Sequence, residues 1–195
     1  MNMSINRIEE EPTDGLTREQ DEQLVDLLSR WKGGRISNLA FPLVARLTPQ
    51  ACVETVILRS KDNSLETLLI ERPTSDTVWP GMLHNPGQAL RLSDFNRKDG
   101  DPVNGPFERI QKGELHAEFA TRPIFVGNDY RMTKRGAEVA FVHIAELKPG
   151  TVDRADYIWY PVKELANNVK FIQHQRNHIE LAAREYKNRF NLDEL

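Results

Sequence analysis

The spacing of apolar positions along this chain changes period several times, and each change marks an element. Between residues 17 and 31 the period is helical, with Leu24, Leu27, Leu28 and Trp31 on one side. Thr17 predicts the N-cap, with Gln20 as its capping-box partner, and Gly33 and Gly34 predict the stop. This helix is expected to pack on the main body. Residues 1–15 carry no such pattern and run through Glu9, Glu10 and Glu11 into Pro12, which predicts a flexible tail.

From Ala51 the period shortens. ACVETVIL (51–58) and LETLLIER (65–72) predict two strands, and the polar KDNS between them predicts a hairpin turn. PTSDTVWPG then leads into the glycine-punctuated stretch WPGMLHNPGQALR. Residues 95–106 are rich in Gly, Pro and Asp and predict a surface loop. Residues 107–119 predict a helix with Phe107, Ile110 and Leu115 inward, although Gly113 inside it costs up to about 1 kcal/mol relative to Ala.

PIFVG (123–127) and AEVAFVHIAEL (137–147) predict two more strands. The YRMTKRG link between them carries Arg131, Lys134 and Arg135. YIWYPVKEL predicts a short strand entering a turn, and residues 173–190 predict a last helix with His178, Leu181, Ala182 and Tyr186 along one side. The order helix, strands, helix, strands, helix predicts a mixed sheet with helices on both faces, a three-layer α/β sandwich. The expected organisation is a tail at 1–15, an N-terminal helix at 16–37 and one domain at 38–195.

Composition narrows the setting. The chain has 195 residues, 39% hydrophobic and 28% charged, enough for a real core under a charged surface. Its net charge of −3 gives no global basic field, so nucleic acid and membrane are not expected as partners. Cys52 is alone, which rules out an intrachain disulfide, and it lies in an apolar run that reads as buried filler. No run approaches the roughly 18 apolar residues of a membrane span. The polar, acidic start is unlike a signal peptide. A cytoplasmic protein is the expectation.

Candidate chemistry concentrates between Trp79 and Glu118. A glycine-rich turn feeds a helix on which Glu114 and Glu118 stand at i and i+4, one turn apart. Mg²⁺ is commonly held by one or two carboxylates plus waters and substrate phosphates, and this pair meets that minimum. Taken by themselves, the same residues read more readily as solvated partners of Lys112 or Arg122. His174 and His178 also show metal spacing, without an evident third ligand.

These residues resemble the Nudix hydrolases. The family pattern is G-x5-E-x7-R-E-U-x-E-E-x-G-U, where U is aliphatic. HNPGQALR is similar to its glycine loop, with Gly87 as the first glycine. GELHAEFA is similar to its helix, with Glu114 and Glu118 as the first and last Glu. Gly113, Ala117 and Ala120 stand where the pattern has Arg, Glu and Gly, and twelve extra residues separate Gly87 from Glu114. A second register, FERIQKGEL, resembles the GDP-mannose mannosyl hydrolases of the same family. There Arg109 takes the box Arg, Glu114 the last Glu, and His116 replaces the Gly.

The resemblance implies a Nudix-like α/β/α sandwich with an extra N-terminal helix. It implies a Mg²⁺-dependent (alternatively Mn²⁺-dependent) hydrolase of a nucleoside diphosphate linked to another group, such as a nucleotide sugar. The metal ligands would be Glu114 and Glu118. Glu114 and Glu138 would be catalytic, Glu138 as general base on its strand. Arg72, His84, Gly87, Arg91 and Arg109 would contact substrate, and a homodimer fits the family habit. The alternative is a catalytically silent Nudix fold that binds a nucleotide or regulates.

Overall fold

A computed structural model describes residues 17–30, 37, 40, 43–44, 48–151, 154 and 156–190. The expected tail at 1–15, and Trp31, Gly33 and Gly34 at the end of the first helix, lie outside the described residues. The chain divides into two units, Met1–Gly34 and Arg35–Leu195. In the first, α1 (Arg18–Arg30) opens on the expected box. Thr17 N–H donates to Gln20 Oε1 at 2.8 Å, and Gln20 N–H donates to Thr17 Oγ1 at 3.3 Å. No residue of α1 is buried.

Among the described residues, the second unit is built on a seven-stranded mixed sheet. Its strands are β1 (Gln50–Lys61), β2 (Ser64–Glu71), β3 (Leu83–His84), β4 (Gly87–Ala89), β5 (Ile124–Met132), β6 (Ala137–Ala145) and β7 (Ile158–Pro161). The order is β3-β2-β1-β6-β5, with β4 pairing β1 and β7 pairing β2. β1 lies parallel to β6 and antiparallel to β2 and β4. Asp62 and Asn63, at φ 48° and 58°, close the β1–β2 hairpin in the left-handed region that Asp and Asn tolerate best.

Side chains alternate across β1 and fill two cores. Val56 and Leu58 face one side with Val142, Phe171, Ile179 and Ala182. Ile57 faces the other with Leu68, Ile110 and Leu115. α3 (Arg176–Phe190) covers the first side. The second is covered by α2 (Asn104–Arg109), which runs on as a π-helical stretch, Ile110–Leu115. Helices therefore flank both faces, as the residue pattern implies.

Three local expectations change. The helix expected over 107–119 begins at Asn104 and ends at Leu115. His116 leaves it at φ 49°, Ala117 N–H turns back to Gln111 O at 3.0 Å, and Tyr157 Oη donates to Leu115 O at 2.6 Å. The glycine loop is in part sheet, because β1 offers its edge: Cys52 faces Ala89 and Glu54 faces Gly87. The link expected from Tyr130 begins later, since β5 continues to Met132 opposite Ala137.

Candidate functional site

Gly87 lies between two carboxylates from different elements. On one side is Glu114, from the end of the π-helical stretch: Gly87 N–H donates to Glu114 Oε2 at 3.1 Å and Gln88 Nε2 donates to Oε1. On the other is Glu54, from β1. A Cβ at position 87 would fall within 2.6 Å of Glu54 Oε1 and closer still to Oε2. Only glycine fits without moving that carboxylate.

Glu54 is a buried acid in a central strand. Asn85 Nδ2 donates to its Oε2, as does Gln175 Nε2 at 3.4 Å, while Gln175 Oε1 accepts Asn85 N–H at 3.1 Å. Burial holds its pKa well above the usual carboxylate range, and the fields of Glu114 and Glu138 push the same way. Burial also raises Glu114, to about 7, against the lowering effect of Gln88, the Gly87 amide and Arg72. Asn85 Oδ1, in the same buried amide, has no hydrogen-bond partner among the described residues.

Cationic and aromatic groups come from the neighbouring loops. Arg72 follows β2 and makes a two-nitrogen pair with Asp76 Oδ2 at 2.9 and 2.6 Å. Asp76 Oδ1 in turn accepts the N–H groups of Val78 and Trp79 at 2.9 and 2.8 Å. Burial alone would raise the Asp76 pKa; these bonds outweigh it and hold the value at about 2. The Arg135 guanidinium lies 4.4 Å from the Trp79 ring centroid, and the His174 ring 5.1 Å away. Glu138 accepts from Thr133 Oγ1 at 3.2 Å and stands 4.0 Å from His174 Nε2. Burial lowers His174 to about 4, with the nearby His178 and Arg131 acting in the same sense, so its ring is neutral at physiological pH.

The other expected site residues distribute unevenly. Glu118 is not brought to Glu114. The chain has left the helix before it, and Glu118 pairs with Lys148 at 2.8 Å on the surface. Arg109 is engaged by Asp94 through two bonds of 2.7 and 2.9 Å and by Ala89 O at 2.9 Å. It ties the helix to β4 and the turn at Leu92–Asn96. Arg91 opens that turn, its N–H bonded to Asp94 Oδ2 at 2.8 Å. His84 is buried in β3, and burial with the field of Arg72 lowers its pKa to about 3. His174 and His178 do not converge, because His178 Nε2 turns to Asp129 Oδ2 at 3.0 Å. The left-handed His116 occupies the glycine position of the second sequence register, which places Arg109 and Glu114 on one continuous helix.

Sequence reasoning missed Glu54, Asn85, Gln175, Trp79 and Arg135 as parts of this site. One signal was present: a Glu inside the apolar run ACVETVIL must find polar company if that strand is central. Among the described residues, no group of three or more His, Cys, Asp or Glu side chains is arranged to hold a metal ion. None of their helices is long and apolar enough to cross a membrane.

No family profile and no curated protein matches this sequence. Solved structures do. A mutT/nudix family protein from Listeria innocua superposes with a TM-score of 0.52 at 14% identity, over 74% of this chain and 99% of that one. The NUDIX domain of Shewanella oneidensis NrtR complexed with ADP ribose gives 0.50 at 16% identity, over 83% and 97%. Shewanella oneidensis NrtR complexed with a 27mer DNA gives 0.50 at 15%, over 71% of this chain, which spans 63% of that NrtR chain. The fold is the Nudix fold. The DNA complex overturns the expectation that nucleic acid is excluded as a partner. Net charge sums over a whole chain and leaves the field of any one face undetermined.

Proposed function

We propose, from the Nudix fold and the carboxylates around Gly87, that this chain hydrolyses a nucleoside diphosphate linked to a further group, such as a nucleotide sugar, with Mg²⁺ or Mn²⁺. One observation carries the reading: Glu54 and Glu114 meet at Gly87, within the fields of Glu138, Arg72 and Arg135. The donor set suits a hard divalent cation. Two carboxylates suffice when waters and substrate phosphates complete the shell. A cation there relieves the like-charge field on Glu54, and Asn85 Oδ1, without a partner among the described residues, is an oxygen of the right kind.

Glu114 and Glu54 would hold the cation, which when bound neutralises diphosphate charge and makes a water more acidic for attack. The remaining roles belong to the chain. Gln88 and the Gly87 amide fix the orientation of Glu114. Asn85 and Gln175 do the same for Glu54. Arg72, held by Asp76, turns a fixed positive charge toward the phosphates. Glu138, beside neutral His174, is the proton acceptor.

The test is hydrolysis of a panel of nucleoside diphosphate derivatives with Mg²⁺. Glu114→Gln is expected to lower the rate about a hundredfold or more, roughly 3 kcal/mol of barrier. An unchanged rate removes Glu114 from the mechanism. Labelled water then separates attack at phosphorus from attack at the sugar carbon. A second reading is a silent nucleotide-binding or regulatory protein. It is favoured by the engagement of both Glu114 oxygens by Gln88 and Gly87. That reading predicts a raised melting temperature with nucleotide and no product.

A further inference from the structure

β4 is a short strand laid antiparallel against β1. Thr55 N–H donates to Pro86 O and Leu90 N–H to Ala51 O, both at 2.8 Å, so the backbone groups of alternate residues turn toward β1. Those of Gly87 and Ala89 turn the other way. Side chains from α2 and its π-helical extension meet them there: Arg109 Nη2 donates to Ala89 O at 2.9 Å, and Glu114 Oε2 accepts Gly87 N–H at 3.1 Å. Glu114 therefore stands where a neighbouring strand would bond. Its second oxygen, Oε1, accepts from Gln88 Nε2.

The two carboxylates beside Gly87 are held by amides of unequal freedom. Asn85 and Gln175, which hold Glu54, are buried and bond to one another. Gln88 is half-buried and projects from a strand of three residues. It is the holder that moves most readily. An amide N–H and a divalent cation seek the same lone pairs of a carboxylate. A cation drawn to Glu114 Oε1 meets the positive end of the Gln88 amide already there. The Gly87 N–H, fixed in the backbone at the other oxygen, is no obstacle to it.

We infer that Gln88 competes with the divalent cation for Glu114, and so sets how weakly the site holds a cation that arrives without substrate. The inference rests on the reading of Glu54 and Glu114 as the cation's ligands. Titration of the whole chain with Mn²⁺ at pH 8, without nucleotide, tests it, with bound ion counted by the loss of the free ion's electron paramagnetic resonance signal. Gln88→Met keeps the length of the side chain and removes its donor. It should bind Mn²⁺ about tenfold tighter than wild type, a difference of about 1.4 kcal/mol. Gln88→Ala should shift in the same direction. An amide that only orients Glu114 predicts the opposite sign, weaker binding in both variants, and that result overturns the inference, as does equal affinity. In the Glu114→Gln background, Gln88→Met should no longer tighten binding, because the competition has lost its object. A tenfold gain that persists there also overturns the inference and leaves the two carboxylates standing as ligands. Failure of the wild type and both Gln88 variants to take up Mn²⁺ brings down the reading of Glu54 and Glu114 as cation ligands, and this inference with it.

Discussion

Glu114 and Glu118 are four residues apart, yet they sit in two different electrostatic settings. Glu114 ends a π-helical stretch whose Leu115 is completely buried; its carboxyl group meets Gly87 and Gln88, and burial raises its pKa to about 7. Glu118 follows the break at His116 and joins Lys148 in a pair whose side chains are 72% and 63% exposed. There the Lys148 hydrogen bond and charge lower the Glu118 pKa instead. The same functional group is thus pushed in opposite directions by what the chain does over three residues. Spacing along a sequence sets a common face only while the helix lasts.

The contrast can be broken or sharpened by four measurements. The largest effect concerns protons. Glu114 binds its proton more tightly folded, at about 7, than its ordinary 4.5. Its contribution to stability is therefore whole below about pH 4.5 and is lost as pH rises through about 7. Glu114→Gln, which stays neutral, should gain about 2–3 kcal/mol on the wild type between pH 5 and pH 8 in metal-free buffer. Parallel melting curves for the two proteins across that range would show Glu114 to be solvated after all.

Gly87→Ala comes next. The added Cβ meets the Glu54 carboxylate, which Asn85 and Gln175 hold in place, and overpacking of this kind costs about 2 kcal/mol. Gly113→Ala is the control, since a Cβ there has nothing within 4 Å. Denaturant midpoints that move equally for both would place Glu54 elsewhere.

A smaller loss, about 1 kcal/mol, is expected from Asp76→Asn. Asp76 pairs with Arg72 at 16% and 18% exposure and anchors the Trp79 loop. Its depressed pKa means that this stability is present above pH 3.8 and is lost as pH falls through about 2. The substitution should cost most near neutral pH and nothing in strong acid, as read by urea unfolding at both pH values. The smallest effect belongs to the surface pair: Glu118→Gln should leave the denaturant midpoint unmoved, because water screens both partners. Its hydrolytic rate should stay within about twofold of wild type, against the loss at Glu114, and a parallel loss would return Glu118 to the site.

What the sequence determined by itself was the set of elements with strong local codes. The α1 capping box, the β1–β2 hairpin with Asp62 and Asn63 in its turn, the alternation that splits Val56 from Ile57, and the last helix all follow from neighbours along the chain. Glu114 and Gly87 were legible too, because a glycine turn and a helical carboxylate are local features. The tertiary structure decided the rest. Glu54 comes beside Gly87 only because β1 runs down the middle of the sheet, with β4 laid against it so that residue 54 faces residue 87. Arg109 goes to Asp94, Glu118 goes to Lys148, and Trp79 gathers Arg135 and His174. Those partners lie 15, 30, 56 and 95 residues apart, and only the folded backbone brings them within reach.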